Sequence, residues 1–193
     1  MLPSFVKEFF RDPSTVGSLV PSSQELTDQV VAPINFSSAN CIVEYGPGTG
    51  VFTDAIIQLR RAETVVLLVE VNEHFCKLLK ERYSSQPNVH VVLGSADKTE
   101  QYLKALDAPP ADYVVCGLPF SSMPLRLDWR ILDHTRKVLL PKGKLILFQY
   151  SLQNTKLFER FFSLVHKVHV LRNLPPAHVL VYAPKDQAAN EKK

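Results

Sequence analysis

The sequence predicts an α/β domain built on a seven-stranded, mostly parallel sheet whose last strand runs antiparallel to its neighbours. Three observations predict it. From Asn40 onward, short β-rich apolar runs alternate with amphipathic stretches, the pattern of βαβ units around a buried parallel sheet. A loop with glycine at alternate positions, Gly46, Gly48 and Gly50, directly follows the first of these runs and precedes a helical stretch. The last two strand-like runs are close enough in sequence to pair as a hairpin.

Taken in order, the strand candidates are residues 41–44, 64–71, 89–93, 113–116 and 145–150, and the helical candidates between them are 53–60, 73–83, 99–106 and 127–138. A further helix at 156–164 leads to strands at 165–171 and 178–182, joined across Asn173-Leu174-Pro175-Pro176. Residues 1–39 precede the sheet and read differently. Leu2, Phe5, Val6, Phe9 and Phe10 recur at helical spacing and would form one apolar stripe, with Lys7, Glu8 and Arg11 off it, ending near Pro13. A second helix is expected from Ser22, where Ser22-Ser23-Gln24-Glu25 has capping-box spacing and Leu26, Val30 and Val31 supply an apolar face. The sheet domain spans 40–185, and the polar, charged stretch 186–193 reads as a frayed tail.

Composition narrows the function classes. The 193 residues, 46% hydrophobic and 21% charged, are those of one ordinary globular domain. No run approaches the ~18 apolar residues of a membrane span, and Met1-Leu2-Pro3-Ser4 lacks the features of a secretory signal, so a cytoplasmic protein is expected. Cys41, Cys76 and Cys116 show no CxxC spacing and imply neither disulfides nor a metal cluster. The net charge of +3 comes from scattered basic residues, which marks no nucleic-acid binder by itself and equally suits weak attraction to an anionic membrane surface. No Ser-His-Asp constellation and no Walker loop is present, and the six histidines are scattered.

The chemistry concentrates in Val43-Glu44-Tyr45-Gly46-Pro47-Gly48-Thr49-Gly50. Its glycines let the backbone turn tightly and approach a ligand, and amides at the following helix N-terminus favour an anion. In a methyltransferase that anion is the carboxylate of the cofactor's methionine moiety, and Glu44 is placed to receive the ammonium of the same moiety, directly or through water. Glu70 closes the second strand about twenty residues beyond Gly50, where a carboxylate accepts both ribose hydroxyls, a device that nicotinamide sites share. GxGxG with an acid two residues before it fits a methyltransferase better than the GxGxxG of dinucleotide binders. Asp97 follows the third strand, placed to accept the adenine amino group or, alternatively, to cap a helix. Gly117-Leu118-Pro119-Phe120 follows the fourth, at the edge where substrate meets cofactor in open α/β sheets, or forms a simple tight turn. The fold class is therefore the Rossmann-like class I methyltransferase fold. Tyr45, Leu118, Pro119, Phe120 and Tyr150 are the candidates for lining the substrate pocket, and no catalytic base stands out.

With these residues in hand, the chain resembles the bacterial phospholipid N-methyltransferases and their wider relatives, the ribosomal RNA adenine dimethylase-like proteins. The resemblance runs over nearly the whole chain: Phe9-Phe10-Arg11-Asp12-Pro13-Ser14-Thr15-Val16-Gly17-Ser18-Leu19-Val20-Pro21-Ser22-Ser23, the glycine loop through Thr53, Gly117-Leu118-Pro119-Phe120 with Met123-Pro124, and Asn173-Leu174-Pro175-Pro176-Ala177. It implies an S-adenosyl-L-methionine site from Glu44, Gly46, Gly48, Gly50, Glu70, Asp97 and Gly117. It also implies that segment 1–39 covers the active site, with Phe5, Phe9 and Phe10 either touching the inner face of a membrane or packing on the protein's own core. RNA adenine dimethylases carry an Asn-Leu-Pro-Tyr type motif whose Asn holds the adenine amino group. Gly117 stands in place of that Asn and Phe120 in place of the Tyr. The expected acceptor is thus a lipid head group or another small amine, with RNA adenine as the weaker alternative and a non-catalytic cofactor-binding protein as a third.

Overall fold

The computed structural model describes residues 23–120 and 122–185. Seven strands form one sheet in the order β3-β2-β1-β4-β5-β7-β6. They are β1 (Cys41–Tyr45), β2 (Val65–Glu70), β3 (Val89–Leu93), β4 (Ala111–Cys116), β5 (Leu139–Gln149), β6 (Phe162–Val170) and β7 (Ala177–Pro184). The helices are α1 (Gln24–Val31), α2 (Val51–Leu59), α3 (Glu73–Arg82), α4 (Thr99–Ala105), α5 (Leu125–Val138) and α6 (Thr155–Phe161). Strands β1 to β5 pair in parallel, and β7 runs antiparallel to both β5 and β6. The expected α/β class, antiparallel last strand and hairpin are all present.

Alternation along the strands divides the core in two. Cys41, Val43 and Tyr45 face α4, α5 and α6, while Ile42 faces α1, α2 and α3. Both faces are covered, which is why the central strands read as continuous apolar runs. Full burial stabilises each Val or Leu by about 1.5–3 kcal/mol. That burial holds helices such as α1 and α6, of eight and seven residues, which are too short to persist alone in water.

Three boundaries differ from the sequence reading. Strand β5 begins at Leu139, not at 145: Leu139 pairs with Ala111 and Lys144 with Tyr113, so residues 140–143 loop out of the ladder around Pro141 and Gly143. Helix α6 stops at Phe161, and Phe162–Val170 pairs with β7, because a tertiary ladder outweighs the helical period of this stretch. The α1 N-cap is Ser23, whose side chain accepts from Leu26 N at 3.2 Å, so Glu25 falls one position short of closing a capping box. The Ser23 amide is satisfied instead by Asn173 Oδ1 at 2.9 Å. Leu26, Val30, Val31 and Ile34 join the core beneath the sheet. The stripe at Leu2 to Phe10 and the tail 186–193 lie outside the described residues.

Candidate active site

The chain moves from β1 outward through β2 and β3, then returns to the other side of β1 with β4, which opens a crevice at the carboxyl ends of β1 and β4. Glycines carry the ladder into the loops at this edge. Gly46 N donates to Val69 O at 2.9 Å, Gly94 N to Glu70 O at 2.8 Å and Gly117 N to Tyr45 O at 2.9 Å. The loops holding Glu44, Glu70, Asp97 and Gly117 are thereby brought together from four strands.

Within the first loop, Gly48 adopts φ +56° and faces open space: a Cβ there would meet nothing within 4 Å. Gly50, at φ +89°, is the N-cap of α2. A tight turn that ends at a helix N-terminus, with free volume above Gly48, fits the carboxylate of the cofactor's amino-acid end, which the N-terminal amides of α2 favour. Glu70 Oε2 accepts from Gly48 N at 3.1 Å and Oε1 from Asn72 N at 2.9 Å. These bonds hold the carboxylate at the strand end and leave lone pairs for the hydroxyls of a sugar.

Glu44 is 1% exposed and its Oε2 accepts from Thr53 Oγ1 of α2 at 2.7 Å. Burial pushes its carboxyl up to about 7; the Thr53 bond opposes that rise, and the charges of Glu70 and Asp54 add to it. Because the folded protein holds this proton more tightly than the unfolded chain, the stabilisation is full below the ordinary carboxylate range and lost as pH rises through about 7. Urea titrations between pH 5 and 8 are expected to show stability falling by on the order of 2 kcal/mol from this source, a fall that Glu44→Gln flattens.

Asp97 is buried and forms an ion pair with Arg130 of α5. It caps no helix: Ser95 and Lys98 occupy the flanking cap positions, neither with a side-chain bond. Of the pocket candidates, Leu118 and Pro119 are half-buried at the crevice, and Gln149 Nε2 reaches Leu118 O at 3.5 Å. Phe120 is buried with its ring edge-on to Phe158 at 5.1 Å. Tyr150 is half-buried beside Phe148, with its hydroxyl toward Asn173. Tyr45 lies fully inside the core, its hydroxyl 3.4 Å from Thr135 Oγ1, so the structure places this ring under α5 and away from the crevice mouth.

Four residues went unassigned in the sequence reading: Thr53, Arg130, Asn173 and Asp128. Thr53, Arg130 and Asn173 act through partners distant in sequence, which no local pattern reveals. Asp128 did leave a signal. It falls on the apolar stripe of its helix, at i, i+3, i+4 and i+7 with Ile131, Leu132 and Thr135, and all four are buried.

Among known proteins, the chain is 33% identical over 174 residues to an ornithine lipid N-methyltransferase of Singulisphaera acidiphila, covering 90% of this chain and 91% of that one. It is 27% identical over 106 residues to ribosomal RNA small subunit methyltransferase A of Thermotoga petrophila, a match that spans 55% of this chain and only 37% of that relative. Among solved structures it resembles the N-methyltransferase NodS of Bradyrhizobium japonicum bound to S-adenosyl-L-homocysteine, with TM-score 0.71, 10% identity and coverage of 93% and 98%. Residues 16–137 match the ribosomal RNA adenine dimethylase family. The chain therefore belongs to that family and is an S-adenosylmethionine-dependent methyltransferase of the class I fold.

Proposed function

We propose that this methyltransferase acts on the nitrogen of a lipid head group or another small amine, at the inner face of a membrane. Gly117 carries the reading. Glycine offers no amide to hold an adenine amino group, and a Cβ at this position would lie 3.1 Å from the Phe148 ring and 3.2 Å from Gly46 O, so a side chain here would be tightly packed. The match to an ornithine lipid N-methyltransferase over nearly the full length of both chains supports the same acceptor class.

In this reading the turn of Gly46, Gly48 and Gly50, with the N-terminal amides of α2 behind it, receives the carboxylate of the cofactor, Glu44 its ammonium, Glu70 its ribose and Asp97 its adenine. When bound, S-adenosylmethionine supplies an activated methyl group, so the protein's task is to align a neutral amine with it and exclude water. Leu118, Pro119, Phe120 and Tyr150 form the acceptor wall, with the aromatic rings available to a methylated ammonium. Residues 1–22 join the described chain at Ser23, beside the loop after β6, and we assign Phe5, Phe9 and Phe10 to membrane contact. Among the described residues no helix is long and apolar enough to cross a membrane.

The test is incubation of the full chain with labelled S-adenosylmethionine and, separately, total lipid and total RNA. Label is expected in amine-bearing lipids. Label in RNA alone, with steeply salt-dependent RNA binding, would establish the family's other chemistry, and no transfer to either with tight cofactor binding would indicate a non-catalytic protein. Replacing Phe5, Phe9 and Phe10 together by Ser is expected to abolish co-sedimentation with vesicles while cofactor affinity stays unchanged. Undiminished vesicle binding by that variant would remove the membrane role of this stripe.

A further inference from the structure

Among the described residues four carboxyl side chains are buried: Glu44, Glu70, Asp97 and Asp128. Three have partners. Glu44 is held by Thr53, Glu70 by Gly48 and Asn72, and Asp97 by Arg130. Asp128 stands apart: it is 2% exposed, and its Oδ1 is closed off from solvent with no hydrogen bond. A carboxyl oxygen taken out of water with no hydrogen bond is a costly feature, and such groups concentrate where chemistry is done.

Its position is informative. Asp128 lies in the first turn of α5, which begins at Leu125 immediately after the acceptor loop and Pro124. Its charge reaches the thiol of Cys116, the last residue of β4 and the neighbour of Gly117, and helps to raise it. It therefore stands behind the loop that faces the acceptor, on the same side of the sheet as Phe120 and Phe158. The N–H groups of the first helical turn favour a negative charge there. Three neighbouring ionisable groups are engaged elsewhere, while the Tyr182 hydroxyl on β7 and His134 Nδ1 on α5 are buried without a hydrogen bond among the described residues. Asp97 is engaged by Arg130, Tyr45 on β1 reaches Thr135 further along the helix, and Arg160 of α6 stacks on the outward-facing Trp129.

We propose that Asp128 is the base of the site, taking the proton from the acceptor's ammonium, directly or through one water, when the head group enters past the Gly117–Phe120 loop. The inference rests on the lipid-amine reading above. In the step, an N–H bond of the ammonium breaks and an O–H bond forms on Asp128. The freed lone pair then makes the new N–C bond as the C–S bond breaks with its electrons going to sulfur, and Asp128 later returns the proton to solvent. Burial raises the Asp128 carboxyl to about 7, which suits a group that must gain and lose a proton near neutrality.

The experiment compares the full-length wild type with Asp128→Asn, using ornithine lipid and phosphatidylethanolamine in detergent micelles as acceptors. The wild-type kcat/KM is expected to rise with pH through about 7, as the carboxyl loses its proton. Asp128→Asn is expected to lower kcat by about 10²–10⁴-fold with cofactor affinity and thermal midpoint maintained. Its residual activity should climb toward the wild-type level as pH approaches the amine's own pKa of about 10, where no base is needed. A variant whose pH profile runs parallel to that of the wild type, at any level of activity, overturns the assignment. Failure of the lipid reading looks different, because the wild type itself then labels neither lipid. In that case carboxyl NMR of Asp128 decides, with ethanolamine and the demethylated cofactor product added: a lowered titration upholds the assignment and an unmoved one overturns it.

Discussion

Glu70→Ala is expected to weaken S-adenosylmethionine binding by about 10²–10⁴-fold. The carboxylate is buried at the end of β2 and bonded to Gly48 N and Asn72 N, so it is preorganised before any ligand arrives. If it accepts two sugar hydroxyls, each charge-assisted bond contributes about 1.5–3 kcal/mol, and each 1.4 kcal/mol is tenfold in affinity. The substitution also frees the Gly48 amide, which loosens the loop that receives the amino-acid end. Calorimetric titration with the cofactor and with its demethylated product checks this. Glu70→Gln, which keeps an acceptor oxygen and loses the charge, should fall between. A dissociation constant within threefold of wild type for Glu70→Ala would falsify the assignment of this acid to the sugar.

Gly50→Ala is expected to lower the thermal midpoint by about 4–20 °C. Two costs combine. The residue holds φ +89°, and a left-handed backbone costs a residue with a Cβ about 1–2 kcal/mol. The new Cβ would also lie 2.5 Å from the Tyr83 hydroxyl, which cannot easily withdraw because it donates to Asp54 Oδ1 at 2.8 Å and packs against α2. Overpacking of this kind costs about 1–3 kcal/mol, and for a chain of this size about 1 kcal/mol moves the midpoint by about 2–4 °C. Adding Tyr83→Phe removes the clashing oxygen and should recover part of the loss, which a double-mutant comparison of midpoints measures. A midpoint shift under 2 °C for Gly50→Ala would show that the loop relaxes at no cost.

Much of the fold was legible because its signals are local. The apolar runs of β1, β2 and β4 are buried on both faces, and Gly46, Gly48 and Gly50 all take positive φ, so their identity is dictated by the turn itself. Glu44, Glu70 and Asp97 follow from the same logic, since strand ends in a parallel sheet converge on one edge. The start of β5 was missed because Leu139 pairs across an irregularity, and the end of α6 because Phe162 belongs to a ladder formed with residues well over ten positions later. The Tyr45 ring reads as a pocket residue from its place in the glycine motif. Strand alternation, however, sends it to the face covered by α5.

From the chain alone came the order of elements, the glycine cradle and the acids at the strand ends, each set by residues within a turn or two of one another. Only the tertiary structure decided that the Ser23 amide is satisfied by Asn173, 150 residues away, that Asp97 is matched to Arg130, and that Gly117 is closely hemmed by Phe148 and Gly46. It alone left Asp128 Oδ1 buried without a hydrogen bond among the described residues. Local conformation depends on neighbours along the backbone, whereas the state of a buried polar group depends on which distant atoms the packed core brings within hydrogen-bonding reach.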